Sequence, residues 1–164
     1  MNGLEIERKY LIRMPDEERL RSLDGCEVWQ IRQEYLTDGK GRIREIRTAN
    51  GVHYILTEKK RISDVVREEA ERELTKEEFD SLKRSVDPAF APICKTRYRI
   101  PVGELLAEVD IFSFWKDRAI VEFELPAEDV HPRIPDWLTL IREVTDDRRY
   151  TNKNLAQNVP MDTL

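Results

Sequence analysis

A short segment near the start of the sequence, LEIERKYLI at residues 4–12, places Glu5, Glu7 and Lys9 two residues apart. The alternation of apolar and polar residues indicates a β-strand, in which these three side chains point to the same face at intervals of about 6.5–7 Å. Like charges on one strand face repel each other unless a cation lies between them. Because hard divalent cations prefer carboxylate oxygens, the segment is a candidate metal-binding strand.

Pairs of like charges recur at the same spacing in other segments. They are Glu69/Glu71, Glu108/Asp110 and Glu122/Glu124 among the acids and Arg42/Arg44 and Lys95/Arg97 among the bases, with Lys59 and Arg67 as further bases. A solvated sheet face usually intersperses opposite charges so that neighbours attract. Clusters of arginine and lysine suit phosphate oxygens. Carboxylate pairs beside such clusters therefore favour a site for a metal-bound polyphosphate over a solvated face.

The same alternation predicts the strands that position these side chains. The strand candidates are 4–12, 28–36, 42–48, 52–60, 67–74, 93–100, 105–112 and 119–125. Asn50-Gly51, between the third and fourth segments, is a strong hairpin signal. Thr75 and Glu78 form a capping box that predicts the start of a helix, which Asp87-Pro88 ends.

The two faces of these strands differ in character, and this difference predicts the fold class. One face holds the charges. The other is apolar and suits packing under helices, with Leu4, Ile6, Ile43, Val109, Ile111, Val121, Phe123 and Leu125. If eight antiparallel strands close into a barrel, the charged face becomes its lumen, which water, ions or a ligand must fill because burying unpaired charges is too costly. We expect an α+β, mainly β protein, a closed eight-stranded antiparallel barrel or tunnel.

The C-terminal segment is expected to cover this barrel. Trp137, Leu138 and Ile141 stand at helical spacing, and a second short helical pattern follows Asn152. An apolar stripe at that spacing is typical of a helix packed on a sheet. We therefore expect covering helices over about 135–160.

Length and composition limit the function. The 164 residues, which suggest a single domain over 1–164, are 37% charged, with a net charge of −5 and a pI near 5.3. An acidic balance disfavours a general nucleic-acid surface. Cys26 and Cys94 form no CxxC and predict free thiols in a reducing compartment. Without a signal-peptide pattern or an apolar run of about 18 residues, we expect a cytoplasmic protein with no membrane segment.

Residues 5–9, Glu-Ile-Glu-Arg-Lys, match the ExExK signature of the CYTH, or triphosphate tunnel metalloenzyme, superfamily. The resemblance continues in the family's order over nearly the whole chain. The matching segments are RIR at 42–44, LTEK at 56–59, Arg67-x-Glu69-x-Glu71, KTRY at 95–98, EVDIF at 108–112, VEFE at 121–124 and EVTDDRRYTNKNLA at 143–156. This resemblance implies an eight-stranded antiparallel tunnel that binds triphosphates.

The resemblance also implies roles for residues of this sequence. The implied metal ligands are Glu5, Glu7, Glu122 and Glu124, with Asp110 and Glu108 as candidates to hold a second ion or to orient water. The implied phosphate-binding set is Lys9, Arg42, Arg44, Lys59, Arg67, Lys95 and Arg97, and Glu69 and Glu71 are further tunnel carboxylates. Arg149 is either a phosphate contact at the tunnel mouth or a surface arginine. The expected catalytic residues are Lys59, Tyr35, Glu108 and Asp110. Tyr35 either positions water near Lys59 or is a buried structural tyrosine.

The activity that the resemblance implies is the Mg²⁺- or Mn²⁺-dependent hydrolysis of a triphosphate. Inorganic triphosphate, cleaved to diphosphate and phosphate, is the expected substrate. The alternatives are a nucleoside or thiamine triphosphatase, with Trp29, Trp115 or Trp137 stacking on a ring, a class IV adenylyl cyclase-like enzyme, and a polyphosphate- or nucleotide-binding protein without turnover. We expect a small anionic partner, no nucleic acid and no membrane, and leave a homodimer open.

Overall fold

A computed structural model of the chain describes the backbone of residues 2–39 and 41–164, and all side chains except those of residues 1–3, 38, 40, 59, 60 and 67. Its strands are β1 (Asn2–Arg13), β2 (Glu27–Tyr35), β3 (Arg42–Thr48), β4 (Gly51–Arg61), β5 (Val66–Leu74), β6 (Ile93–Val102), β7 (Leu105–Phe112), β8 (Arg118–Glu124) and β9 (Leu140–Glu143). Its α-helices are α1 (Glu17–Ser22), α2 (Lys76–Leu82) and α3 (Asn152–Leu155), and 3₁₀ turns cover Thr37–Gly39, Lys83–Ser85 and Arg148–Tyr150.

Eight of the strands close into an antiparallel barrel, which confirms the predicted fold class. They follow one another in the order β5-β4-β3-β2-β6-β7-β8-β1, and β1 also pairs with β5. Closure depends on the length of β1: residues 2–6 pair with β5, while residues 7–13 pair with β8. Closing the sheet in this way removes the exposed edges that an open sheet would present.

The β3–β4 hairpin is confirmed, with its turn one residue earlier than the sequence signal suggests. Thr48 pairs with Gly51, so Ala49 and Asn50 form the turn. Gly51 has a φ of +122°, a backbone conformation that side chains with a Cβ rarely adopt. This tight turn brings Arg42 and Arg44 of β3 alongside β4.

Apolar side chains on the outside of the barrel form two cores. One core lies under α1 and the 126–139 segment, where Leu20 meets Tyr98, Val121 and Phe123. Helix α1, which the sequence patterns did not predict, begins at Asp16, whose side chain accepts a hydrogen bond from the backbone N–H of Glu18 at 3.0 Å. Burying each large apolar side chain stabilises the fold by about 1.5–3 kcal/mol.

The second outer core lies under α2. The predicted capping box is confirmed, since the Thr75 hydroxyl accepts a hydrogen bond from the backbone N–H of Glu78 and the Glu78 carboxylate accepts one from the backbone N–H of Thr75. Phe79 of the helix then packs on Ile43 and Leu74. The cap sets where the helix begins and so places Phe79 over the barrel.

A third apolar cluster closes one end of the barrel from inside. Its tunnel-facing members are Leu11, Tyr35, Ile93, Phe112 and Ile120, and its covering members are Trp115, Val144, Tyr150, Leu155 and Ala156. The charged residues on the same strand faces lie nearer the other end. The lumen is therefore a deep cup, open at the mouth and sealed at this closed end.

Two sequence-based expectations about apolar residues are wrong. The segment around Ile141 is not a helix: residues 140–143 form β9, which pairs with Tyr10–Ile12 of β1. Beyond its pairing with β5, β1 has backbone N–H and C=O groups with no barrel strand beside them on that edge. A strand can hydrogen-bond to these groups, whereas a helix cannot, because its backbone groups bond within the helix. Leu4, expected in the core, is 67% exposed. The short helix after Asn152 is confirmed as α3.

Two simpler expectations concern thiols and helices. Cys26 and Cys94 are both free, as predicted. Within residues 2–39 and 41–164, no helix is long and apolar enough to cross a membrane.

Candidate active site

The barrel encloses a cavity of about 670 Å³, here called the tunnel cavity. Charged residues from seven strands line it. Those predicted from the sequence are Glu5, Arg42, Arg44, Glu69, Glu71, Arg97, Glu108, Glu122 and Glu124. The structure therefore brings most of the predicted site residues to one space.

Charge divides the wall of the tunnel cavity into two halves. Strands β3 and β6, which flank β2, contribute the bases Arg42, Arg44, Lys95, Arg97 and Arg99. The neighbouring strands β7, β8, β1 and β5 contribute the acids Glu108, Asp110, Glu122, Glu124, Glu5, Glu7, Glu69, Glu71 and Glu73. Among the side chains that the structure describes, Glu27 at the mouth and Lys9 deeper in the wall depart from this division. A polyanion and a cation could thus bind side by side.

Arg97 is held at the border of the two halves by acids of β7. Its Nε donates to Asp110 Oδ1 at 2.8 Å and its Nη2 donates to Asp110 Oδ2 at 2.9 Å, while Nη1 donates to Glu108 at 3.2 Å. Burial lowers the pKa of Arg97, but Asp110 and Glu108 outweigh it and raise that pKa well above its usual value. The guanidinium is fixed and permanently charged.

Lys95 shares Asp110 with Arg97. Its Nζ lies 2.8 Å from Asp110 Oδ2, and both side chains are 1% exposed. Burial lowers the pKa of Lys95 to about 8, although the charge of Asp110 opposes that shift. Burial disfavours the ionised form of Asp110, but Arg97 and Lys95 more than compensate and lower its pKa. Burial thus destabilises the charged form of Lys95, and a bound anion would offset this destabilisation.

Arg42 and Arg44 carry the basic wall on β3, where both are buried. Arg44 Nη2 donates to Thr57 Oγ1 at 3.1 Å and to Glu71 at 3.2 Å. Burial, followed by the charges of Arg42 and Arg97, lowers the pKa of Arg44 to about 10. The positive charges of these guanidinium groups repel one another, and a bound anion would offset that repulsion.

Carboxylates stand opposite each other across neighbouring strands on the acidic half. Glu7 pairs in register with Glu124, and Glu108 pairs with Glu122. Like charges directly opposite destabilise a sheet, and hard oxygen donors of this kind suit Mg²⁺ or Mn²⁺. The donor chemistry fits such an ion, although among the described side chains no three metal-ligating groups already converge.

Lys9 lies deep in the acidic half. Its Nζ is 3.5 Å from Glu122 Oε1 and donates to the backbone oxygen of Tyr150 at 3.1 Å. The C-terminal segment thus helps to fix this cation. Lys59 and Arg67 occupy β4 and β5, but their side chains lie outside the described part of the structure.

Tyr35 and Arg149 lie differently from the other candidates. Tyr35 shares the strand face of Gln33, but its ring packs 5.5 Å from that of Phe90 within the closed-end cluster. Arg149 is exposed, bonds to Asp147 at 2.8 Å, and lines a separate depression beside the C-terminal residues. A short local ion pair thus holds Arg149 away from the tunnel cavity.

Gln33 and His53 lie on the tunnel side of the barrel but were not among the sequence-based candidates, and Trp29 was a candidate only for stacking on a ring. Gln33 is completely buried on the tunnel face of β2; its only signal was its place two residues before Tyr35. His53 and Trp29 line the mouth of the tunnel cavity. The guanidinium carbon of Arg99 lies 4.3 Å from the centre of the Trp29 ring.

Two known proteins that are similar to this chain over most of its length are named inorganic triphosphatase. The chain is 31% identical over 161 residues to one from Nitrosomonas europaea, covering 95% of this chain and 99% of that protein. It is 31% identical over 158 residues to one from Acetivibrio thermocellus, covering 95% of each. The crystal structure of an inorganic triphosphatase aligns at a TM-score of 0.57 and 28% identity, covering 95% of this chain and 96% of that one. No protein-family model matches the sequence.

A closed antiparallel barrel with acids and bases on opposite halves of its lumen defines an anion-binding tunnel protein. With these relatives, the chain belongs to the CYTH, or triphosphate tunnel metalloenzyme, superfamily.

Proposed function

We propose that the protein hydrolyses inorganic triphosphate to diphosphate and phosphate within the tunnel cavity, with Mg²⁺ or Mn²⁺ as cofactor. The observation that carries this proposal is the division of the cavity wall into a basic and an acidic half. Relatives with 31% identity over 95% of the chain bear the name inorganic triphosphatase. Residues 1–164 act as one functional unit, because the covering C-terminal segment also fixes Lys9.

The basic half binds and aligns the substrate. Phosphoryl transfer depends mainly on positioning and on neutralising charge, for which fixed cations are well suited. Arg42, Arg44 and Arg97 supply guanidinium donors from the cavity wall, and Lys95 supplies a point charge behind them. Lys9 supplies a second point charge from the acidic half. Lys59 and Arg67 are proposed to join this set.

The acidic half holds the metal. Glu5, Glu7, Glu122 and Glu124 are the proposed ligands, because they face the cavity from the adjacent strands β1 and β8. When bound, the ion neutralises phosphate charge and polarises the bond that is cleaved. Asp110 is better suited to positioning than to ligation, since both of its oxygens accept hydrogen bonds from Arg97.

The attacking water needs an acceptor near the phosphate. Glu108 lines the cavity and is partly exposed, with Arg97 and Arg99 bound to one of its oxygens, Oε2. We assign it the role of orienting that water, because a carboxylate has acceptor capacity beyond two hydrogen bonds. Tyr35 has a structural role in this scheme, and Arg149 has none.

The test is phosphate release from inorganic triphosphate, ATP, GTP and thiamine triphosphate, each with Mg²⁺, Mn²⁺ or EDTA. We expect metal-dependent release from inorganic triphosphate in preference to the other three. Preference for a nucleotide would instead assign Trp29 at the mouth to stacking on a base. Binding of inorganic triphosphate without any release would overturn the hydrolase and leave a sensor.

A further inference from the structure

Gln33 is a buried polar side chain that the scheme above does not use. Its exposure is 0%, and neither its amide nitrogen nor its amide oxygen hydrogen-bonds to any residue that the structure describes. Leaving a buried amide without a partner is costly, so such groups in native proteins usually serve a purpose. An apolar side chain of the same size at this position would not carry the cost of an unpaired amide.

The strand register places Gln33 on the tunnel face. It pairs with Arg44 of β3 on one side and with Ile93 of β6 on the other. Directly opposed residues of antiparallel strands point to the same face, and Arg44 lines the tunnel cavity. Ile93 belongs to the closed-end cluster. Gln33 therefore lies deep in the lumen, where the basic wall meets the apolar closure.

Other buried donors surround Gln33. The Nε atoms of Arg42 and Arg44 also make no hydrogen bond to any described residue. Arg44 is the direct neighbour of Gln33, and Arg42 is its diagonal neighbour on β3. Diagonal neighbours on a sheet face are within reach of long side chains. Amide and guanidinium N–H groups thus cluster at the deep end, which is the arrangement an anion requires.

A neutral residue suits this position better than another cation. Strand β2 lies between β3 and β6, the two strands that carry the basic wall. Burial and the neighbouring charges of Arg42 and Arg97 already lower the pKa of Arg44. A further positive charge on β2 would add to that repulsion. An amide contributes two donors and an acceptor without adding charge.

We propose that Gln33 is a substrate-binding residue that holds the innermost phosphoryl group of the triphosphate at the closed end of the tunnel cavity. Its Nε2 donates a hydrogen bond to a phosphate oxygen, and its Oε1 accepts one from water beside the phosphate. The inference rests on the proposed function, since it assigns a contact to the same substrate. It adds an uncharged hydrogen-bond donor to a site in which the other proposed substrate contacts are charged side chains.

The test compares Gln33→Met with Gln30→Met. Both replace a glutamine of β2 with a side chain of similar length, but Gln30 is exposed on the outer face, where it accepts a hydrogen bond from Thr96 at 2.9 Å. Affinity is measured by calorimetry with an imido-bridged, non-hydrolysable triphosphate and Mg²⁺. KM is measured with inorganic triphosphate, and thermal unfolding is measured without ligand.

We expect Gln33→Met to weaken affinity by about 10- to 100-fold, the range for a lost hydrogen bond to a charged group. Its ligand-free melting temperature should stay level or rise, because the substitution removes a buried amide without a partner. Gln30→Met should leave affinity and KM unchanged. A purely structural role for Gln33 predicts the reverse for Gln33→Met, a lower melting temperature with unchanged affinity, and would overturn the proposal.

A second variant covers the case in which Gln33→Met fails to fold. Gln33→Glu keeps the size of the side chain and adds a carboxylate beside Arg44, which should preserve the fold while repelling phosphate. Loss of affinity in this folded variant supports the proposal, and wild-type affinity refutes it. If the wild-type protein neither binds nor cleaves inorganic triphosphate, the proposed function itself fails. If the wild-type protein hydrolyses inorganic triphosphate and Gln33→Met keeps its affinity and KM, only the Gln33 contact is refuted.

Discussion

Asp110→Asn is expected to destabilise the ligand-free protein strongly. Asp110 is 1% exposed and compensates two buried cations, Arg97 through two hydrogen bonds and Lys95 at 2.8 Å. The asparagine would keep the shape but leave both cations with far less compensation. Breaking a buried ion pair by removing one partner costs about 3–5 kcal/mol. For a chain of this size, each kcal/mol shifts the melting temperature by about 2–4 °C, so the expected loss is about 6–20 °C.

The assay is urea and thermal unfolding followed by circular dichroism, in buffer with EDTA and without phosphate. Glu108→Gln, two residues away on β7, is the matched control. Glu108 also binds Arg97, but its side chain is 21% exposed, so water screens the loss and about 1 kcal/mol is expected. Adding inorganic triphosphate should restore more stability to Asp110→Asn than to the wild type, because the anion would compensate Lys95 and Arg97.

The result that would refute this reasoning is a free energy of unfolding for Asp110→Asn within about 1 kcal/mol of the wild type. Lys95 and Arg97 would then not depend on Asp110 for compensation. An equal effect of triphosphate on the two proteins would show in addition that the anion does not reach these cations.

Further predictions concern the metal, the pH dependence and the closed end. Glu7→Gln, which removes one of two opposed carboxylates, should lower activity at fixed Mg²⁺ and raise the Mg²⁺ concentration needed for half-maximal rate; an unchanged titration would exclude Glu7 as a ligand. Because the pKa of Lys95 is lowered to about 8, KM for triphosphate should rise above that pH. The unfolded chain binds more protons between pH 8 and Lys95's ordinary value near 10.5, so ligand-free stability should rise with pH there; urea unfolding of the wild type and Lys95→Met checks both the sign and the assignment. Trp115→Phe removes the 2.9 Å hydrogen bond from Trp115 Nε1 to the backbone oxygen of Pro160 and should cost about 1 kcal/mol by thermal unfolding, whereas no change would mean that the C-terminal segment is not held there.

The barrel was predictable because the sequence of its strands is consistent at two levels. Alternation marks each strand, and the like-charged pairs on one face need an interior filled by ions, water or ligand. The Arg42/Arg44 and Lys95/Arg97 pairs carried that signal, and the structure places all four on one half of the lumen. The capping box at Thr75 fixed the start of α2 for an equally local reason.

Features that depend on distant pairing were not predictable. Strand β9 forms because β1 extends beyond the residues that pair with β5. No sequence pattern near Ile141 reveals this free edge of β1. The closed end likewise joins tunnel-facing residues such as Leu11 to covering residues such as Tyr150, far apart in sequence. The burial of Gln33 was not predictable either, because the sequence alone does not distinguish a buried glutamine in an alternating segment from an exposed one.

Arg149 binds an acidic residue close to it in the sequence and not the tunnel cavity. Arg149 follows Asp147 by two residues, and the structure pairs these two instead of extending Arg149 to the tunnel cavity. In contrast, Arg44 has its bonding partners on β4 and β5, at Thr57 and Glu71, and points into the lumen.

The central claim is that the inner face of the barrel, and not its outer charge, acts on triphosphate. Two arginines of β3 allow a direct test: Arg44 lines the tunnel cavity, and Arg47, three residues later, is exposed on the outer face beside Glu45. The measurement is kcat/KM for inorganic triphosphate with Mg²⁺ in Arg44→Met and Arg47→Met. We predict a loss of about 10- to 150-fold for Arg44→Met and wild-type activity for Arg47→Met. Equal activity in the two variants would contradict the account.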